Sequence, residues 1–248
     1  MVETVEQTKK KTGNGKKAII AICVGILVVA LGFAGVGYFT NYYEAMDYVD
    51  SYVEQAFAEK DYYVFTPADG SKTDQGIIFY PGGKVEETAY APLCQEVANA
   101  GYQVYLVKMP VHLAVFGKDK GAEVMKTETE IAHWSMMGHS LGGAMAAAFA
   151  GEHTDEIEGL ILLGAYSTAD LSSSDMKVLT IYGENDQVLN REKYEENRSN
   201  LPKKTTEYII EGGNHAYFGA YGSQDGDGEA TITQEEQMQQ VVDLVLQW

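Results

Sequence analysis

From residue 61 onward the chain alternates short apolar runs, which favour β-strands, with stretches in which apolar residues recur at helical spacing. The segments, in order, are YYVFTP, GIIFYPG, the helix-like TAYAPLCQEVANAG, YQVYLVKMP, a helical stretch over 121–131, HWSMMGHS, the helix-like GGAMAAAFAGEH, GLILLGAY, KVLTIYGEND, the helix-like REKYEENRS, TEYIIEGG and the helix-like QEEQMQQVVDLVLQW. Strands that are apolar throughout and separated by helices are typical of a parallel sheet with both faces covered. The pattern therefore predicts an α/β fold over residues 61–248, with a mostly parallel sheet and helices on both faces.

Composition limits what else the chain can hold. Its 248 residues, 45% of them hydrophobic, suffice for one core of ordinary size and at most a small appendage. A formal net charge of −18 opposes a general attraction to nucleic acid. The two cysteines, Cys23 and Cys94, lie far apart, so neither a disulfide framework nor a structural zinc site is available. We therefore expect no nucleic-acid partner and no metal.

Residues 18–39 form an uncharged apolar run that follows a basic segment. The run has 22 residues, which as a helix extend about 33 Å, enough to cross a bilayer. Residues 1–17 carry five lysines against two glutamates. The positive-inside rule therefore predicts a cytoplasmic tail over 1–17, a transmembrane helix over 18–39 and an extracytoplasmic domain at the cell membrane. A cleaved secretory signal is the alternative, but its apolar region is normally only about 7–15 residues long.

Residues 40–60 connect this apolar run to the α/β pattern. Their sequence, NYYEAMDYVDSYVEQAFAEK over 41–60, places apolar residues at helical spacing with acidic residues between them. This periodicity predicts an amphipathic helical spacer between the membrane and the domain.

One short motif within the pattern points to chemistry. The sequence from Gly138 to Gly142 fits G-x-S-x-G, follows an apolar strand and opens an alanine-rich helix. In this context Ser140 occupies a sharp turn that projects its hydroxyl above the sheet, and the flanking glycines let neighbouring backbone approach closely. The positive end of the following helix faces the same place, where an oxyanion would develop. We therefore expect Ser140 to be a nucleophile.

With this motif the chain, from about residue 62 to 247, resembles the α/β-hydrolase family, specifically its small lidless members related to carboxylesterases and dienelactone hydrolases. The resemblance implies a catalytic acid after a later strand, and IYGENDQVL supplies Asp186 in the family's G-x-x-D-x-V pattern, with Gly183 and Val188. Glu184 is the rival carboxylate, closer to the end of the strand. For Asp186 the structural alternative is a helix N-cap.

The resemblance further implies a histidine after the last strand. Of the five histidines, only His215 follows both the acid and the last predicted strand, in the glycine-rich loop IIEGGNHAYFGAYG. It would act as general base toward Ser140 and then as general acid, with Asp186 holding its tautomer. The other four precede the acid: His112, His133, His139 and His153.

An oxyanion hole in such a site needs two backbone N–H donors. Leu141, which follows the nucleophile, supplies one. The other comes from the loop after an early strand, here FYPGGKVEE, where we expect Gly83, with Lys84 as the alternative. Pro81 has no N–H and cannot serve.

Two further loops allow more than one interpretation. The apolar loop MPVHLAVFG over 109–117 either lines an acyl pocket or belongs to the core. The loop QDGDGEA over 224–230 lacks the ligand spacing of a calcium loop, and we expect it to be solvated.

The sequence thus predicts a membrane-anchored serine hydrolase that acts on a small-molecule ester or thioester, or an amide, through an acyl-enzyme and without a cofactor. About 45 residues separate Ser140 from Asp186, too few for a large helical lid. Two alternatives remain open, a peptidase and a non-catalytic extracytoplasmic binding module on the same fold.

Overall fold

A computed structural model describes residue 37 and residues 41–248. The chain divides into two units, Met1–Asn41 and Tyr42–Trp248. The predicted tail over 1–17 and, apart from residue 37, the predicted transmembrane helix over 18–39 lie outside the described residues. Within the described part, no helix has the length and apolar character needed to cross a membrane.

The second unit is built on one eight-stranded sheet. Its strands are β1 (Phe57–Ala58), β2 (Tyr62–Phe65), β3 (Gln75–Tyr80), β4 (Gln103–Val107), β5 (His133–His139), β6 (Ile157–Leu163), β7 (Lys177–Gly183) and β8 (Thr205–Ile210). They lie in the order β1-β2-β4-β3-β5-β6-β7-β8, in which β2 runs antiparallel to β1 and β4 and all other pairs are parallel. The predicted mostly parallel sheet is therefore confirmed.

Helices cover both faces of this sheet. They are α1 (Asp50–Val53), α2 (Ala91–Asn99), α3 (Lys120–Thr127), α4 (Leu141–Glu152), α5 (Arg191–Asn197) and α6 (Gln234–Gln247). Because side chains alternate across a strand, Ile77 and Phe79 of β3 join the core beneath α2 and α6, whereas Ile78 and Tyr80 join the core beneath α3 and α4. Both cores are fully enclosed, and this fixes the register of the central strands.

The segment predicted as a helical spacer over 40–60 has a different structure. Only Asp47–Val53 is helical, first as a 3₁₀ turn and then as α1, and Phe57–Ala58 pairs with β2. Before the turn, Tyr43 forms a parallel bridge with Val85. The apolar periodicity of this segment serves packing on the domain instead of a free helix, so the α/β unit begins at Tyr42, earlier than the predicted residue 61.

Candidate active site

Ser140 lies in the turn between β5 and α4. Its backbone is left-handed, with φ 53° and ψ −123°, a conformation that costs about 1–3 kcal/mol and that functional sites often store. Gly142 lies so close to β3 that a Cβ there would be 2.2 Å from the carbonyl oxygens of Tyr80 and Pro81. The predicted role of the motif's glycines, close backbone approach, is thus visible. The serine itself is only half-buried.

Asp186 follows β7 and contacts His215 directly. One carboxylate oxygen, Oδ2, lies 2.8 Å from His215 Nδ1. The other, Oδ1, accepts hydrogen bonds from the backbone N–H groups of Val188 at 2.9 Å and Leu189 at 2.8 Å. These donors fix the carboxylate so that Oδ2 faces the imidazole. The N-cap of α5 is instead Asn190, whose side chain accepts from the backbone N–H of Lys193.

Glu184, the rival acid, has another role. Its side chain is exposed and accepts a hydrogen bond from the Gly212 N–H at 3.0 Å, within the loop that follows β8. Of the two carboxylates, only Asp186 contacts a histidine.

His215 is buried beside the turn that carries Ser140. Its side chain is 1% exposed, and its ring centroid lies 4.5 Å from that of His139, the residue preceding Ser140. Its Nε2 atom is buried and has no hydrogen-bond partner among the described residues. Because Asp186 accepts at Nδ1, the neutral imidazole carries its proton there and leaves Nε2 as an acceptor.

The structure joins Asp186 to His215 but does not hydrogen-bond His215 to Ser140 within the described part of the chain. Catalytic hydrogen bonds are often long in unliganded enzymes and tighten when substrate binds. Backbone links nonetheless hold the two residues in one neighbourhood. Ser140 donates its N–H to Leu163, and the next residue, Gly164, lies against the His215 ring, where a Cβ would be 2.9 Å from Nδ1.

The two candidate oxyanion donors lie side by side. A Cβ on Gly83 would be 2.7 Å from Leu141 Cδ2, and both residues are only half-buried. Leu141 is the first residue of α4, where backbone N–H groups have no partner within the helix. The Gly82 carbonyl accepts from the Val85 N–H at 3.4 Å. Because a peptide is planar and trans, this bond directs the Gly83 N–H to the opposite side.

Lys84, the alternative donor, does not suit this role. Its N–H donates to the carbonyl of His112 at 2.7 Å, and its backbone is left-handed with φ 61°. An N–H that is already satisfied is a poor oxyanion donor, which leaves Gly83.

The sequence analysis missed a buried pair that links the oxyanion loop to the serine turn. The Tyr90 hydroxyl accepts from the Gly82 N–H at 3.1 Å and lies 2.7 Å from His139 Nδ1. Burial, together with the nearby His215, holds the pKa of His139 well below its usual range. His139 is therefore neutral, and its Nδ1 atom shares a hydrogen bond with the Tyr90 hydroxyl. No local signal reveals this contact, because Tyr90 and His139 are 49 positions apart.

The loop over 224–230, predicted to be solvated, exposes Asp225, Gly226 and Glu229, and it is also tied to the site. Asp227 is half-buried; its Oδ2 accepts from the Ala216 N–H at 2.9 Å and its Oδ1 from the Gln187 N–H at 3.3 Å. It thereby joins the loops that carry His215 and Asp186. Within the described residues, no cluster of three or more His, Cys, Asp or Glu side chains is arranged to hold a metal ion.

The apolar loop over 109–117 belongs to the core in part and is exposed in part. Met109 and Ala114 are buried in the core, whereas Val111 and Phe116 are exposed by 47% and 59%. Leu113 reaches the oxyanion loop, 3.6 Å from the Cβ position of Gly83. The remaining histidines pair with glutamates, His112 with Glu87, His133 with Glu158 and His153 with Glu156.

Comparison with known proteins identifies the family. The model of the alpha/beta hydrolase family matches residues 76–239, more than half of the chain. The chain belongs to the alpha/beta hydrolase family. It is accordingly a hydrolase, and the resemblance seen in its G-x-S-x-G motif is confirmed at the level of the family. No curated protein matches the sequence.

Solved structures agree on the fold at low sequence identity. Est1E from Butyrivibrio proteoclasticus is 14% identical with a TM-score of 0.58, and the match covers 77% of this chain and 96% of that one. The monoacylglycerol lipase of Paleococcus ferrophilus is 15% identical with a TM-score of 0.56, covering 75% and 99%. The esterase domain of a Rhodothermus marinus protein is 13% identical with a TM-score of 0.55, covering 75% and 92%.

Proposed function

We propose that this hydrolase cleaves a small-molecule ester or thioester through a Ser140–His215–Asp186 triad. The observation that carries the proposal is the 2.8 Å contact of Asp186 Oδ2 with His215 Nδ1, on a histidine whose buried Nε2 has no partner in the part of the chain that the structure describes. An imidazole oriented by a carboxylate beside a strained serine is the arrangement that activates a hydroxyl.

The reaction follows from these positions. His215 Nε2 takes the Ser140 proton as Oγ attacks the carbonyl carbon, and the imidazolium that forms is stabilised by Asp186. The N–H groups of Leu141 and Gly83 donate to the developing oxyanion. His215 then protonates the leaving alcohol or thiol, and water releases the acyl group from Ser140 in the reverse sequence.

The substrate class rests on similarity and on the loops around the site. Proteins of the same fold include esterases and a monoacylglycerol lipase, one of them solved with ferulic acid bound. The half-buried Leu113 beside Gly83 supports an apolar acyl or alcohol group at this place. Amide cleavage uses the same machinery, so a peptide substrate belongs in the test panel.

Steady-state hydrolysis of p-nitrophenyl esters, a thioester and a peptide anilide by the full-length chain tests the proposal. Ser140→Ala and His215→Ala should each lower kcat by about 10⁴-fold or more, to a similar residual rate, because triad members act as a unit. Ser71→Ala, at an exposed serine, is the matched control and should leave kcat unchanged. A folded wild-type chain that hydrolyses none of these compounds would favour the binding module.

We also propose that residues 18–39 anchor the protein in the cell membrane, with residues 1–17 in the cytoplasm and the hydrolase domain outside. Support comes from the length of the apolar run and from the five lysines before it. The chain should resist alkaline extraction from membranes, and protease added to spheroplasts should degrade its domain. If the mass of the mature protein shows that its N-terminus lies after residue 39, the apolar run is a cleaved signal and not an anchor.

A further inference from the structure

The segment of residues 42–46, here called the strap, leads into the α/β unit and lies across two loops of the site. One is the oxyanion loop, residues 82–86, which carries Gly83. The other is the histidine loop, residues 214–225, which carries His215. The strap has no regular helix or strand of its own, yet four of its backbone groups bond to these loops.

On the oxyanion loop, the backbone of Tyr43 bonds to the residues on both sides of Val85. The Tyr43 N–H donates to the Lys84 carbonyl at 2.8 Å, and the Tyr43 carbonyl accepts from the Glu86 N–H at 2.9 Å. The Ala45 N–H adds a bond to the Glu86 carboxylate at 2.9 Å. Lys84 is thus held in its left-handed conformation by bonds on both sides, since its own N–H donates to another loop.

The strap also bonds to the histidine loop. The Met46 N–H donates to the Ala220 carbonyl at 2.9 Å, and the Tyr43 hydroxyl accepts from the Asp225 N–H at 3.1 Å. The Tyr43 ring packs against Tyr221, with the centroids 5.6 Å apart. Tyr43 therefore bonds to the oxyanion loop through its backbone and to the histidine loop through its side chain.

These contacts continue to the reacting groups. The Val85 N–H donates to the Gly82 carbonyl, and this bond sets the direction of the Gly83 N–H through the planar peptide. Moving the strap would shift Val85, and with it the donor that faces the oxyanion. A misplacement of about 1 Å at such a group costs about 100-fold in rate.

We propose that Tyr43 is a positioning residue, through which the strap holds the oxyanion loop and the histidine loop in the geometry that the reaction requires. The proposal rests on the proposed function of Ser140. It implies that the residues directly after the apolar run belong to the catalytic framework and are not a passive tether.

The test compares Tyr43→Ala and Tyr43→Phe with a matched control, Tyr48→Ala, in the full-length chain. Tyr48 is an exposed tyrosine outside the strap whose hydroxyl donates to the Gln234 side chain of α6; among the described contacts it bonds to neither loop directly. Rates are normalised to the amount of serine that a fluorophosphonate titrates, so that loss of folded protein does not count. Tyr43→Ala should lower kcat about 10- to 100-fold with KM nearly unchanged, because donor placement affects the transition state. Tyr43→Phe loses one hydrogen bond and should lower kcat about fivefold, whereas Tyr48→Ala should match wild type.

If Tyr43→Ala has the same kcat per titrated serine as wild type, the proposal is wrong. The same conclusion holds if the variant merely contains less titratable serine. Hydrogen–deuterium exchange distinguishes this failure from a failure of the proposed function. Faster exchange in residues 82–86 and 214–225 of Tyr43→Ala is expected whether or not Ser140 reacts. If the fluorophosphonate does not react with wild type but exchange is still faster in Tyr43→Ala, the proposed function is wrong and the strap still holds both loops. If exchange in Tyr43→Ala is unchanged, the strap proposal itself is wrong.

Discussion

At the scale of single residues, the contacts of a side chain in the fold distinguish residues whose roles the sequence alone cannot separate. Asp186 and Glu184 are carboxylates two positions apart, and only family resemblance favours one of them in the sequence. In the fold Asp186 faces His215, while Glu184 is exposed and caps the Gly212 N–H. Tyr90 and His139 could not be paired in advance, because strand order, not local sequence, brings them together.

Asp186→Asn should lower kcat by about 10⁴-fold, because an amide no longer fixes the tautomer of His215 or stabilises its imidazolium. Glu184→Gln keeps an acceptor for Gly212 and should leave kcat close to wild type. Steady-state kinetics of both variants decides between the acids, and a larger loss in Glu184→Gln would reverse the assignment.

Asp227→Asn should weaken the link between the loops of Asp186 and His215. The amide can accept through only one of the two atoms that now bind Ala216 and Gln187. We expect kcat to fall about tenfold, the equivalent of one lost hydrogen bond to a charged group. Asp225→Asn, in the same loop, is the control, and equal effects from both variants would argue for a general charge effect instead.

At the scale of elements, the alternation of strands and helices is predictable because the apolar runs of the central strands are buried along nearly their whole length, whereas β8 at the edge of the sheet is largely exposed. The structure of the segment over 40–60 is not predictable in this way, because its apolar periodicity fits both a free amphipathic helix and a strap packed on distant loops. The backbone bond from Tyr43 to Lys84 spans 41 positions, and only the folded domain supplies that partner.

Gly142→Ala should separate α4 from β3. Its Cβ would lie 2.2 Å from two backbone oxygens that cannot rotate away, so we expect the free energy of unfolding to fall by about 3 kcal/mol. Gly151→Ala, in the same helix, meets only the side-chain atoms of Leu171 and Ala169 at 3.1 and 3.2 Å and should cost far less. Urea denaturation of both variants measures the difference, and equal stabilities would show that the turn is not tightly packed.

At the scale of the whole molecule, the sequence pattern predicts the α/β framework, and the order of the motifs along the chain predicts that the candidate residues share one edge of the sheet. Ser140, Asp186 and His215 follow β5, β7 and β8, whose carboxyl ends lie on one edge of the parallel sheet. The framework therefore brings together residues distant in sequence. The hydrogen bonds of Asp227 to two loops, and the contacts of the strap, depend on loop conformations that no periodicity in the sequence predicts.

Stability should fall in mild acid because of His139. Burial lowers its pKa in the folded state, so below about pH 6.5 the unfolded chain binds a proton that the folded chain does not. This single group should therefore lower the free energy of unfolding progressively as the pH falls below about 6.5. His139→Gln should lose less stability than wild type between about pH 7.5 and pH 5.5 in chemical denaturation, and parallel pH profiles would contradict the assignment.

The most direct measurement is to label the full-length protein with a fluorophosphonate and map the adduct by mass spectrometry. The account predicts one adduct, on Ser140, that is absent in Ser140→Ala and forms far more slowly in His215→Ala. An adduct on another serine, or a folded protein that the probe does not label, would contradict it.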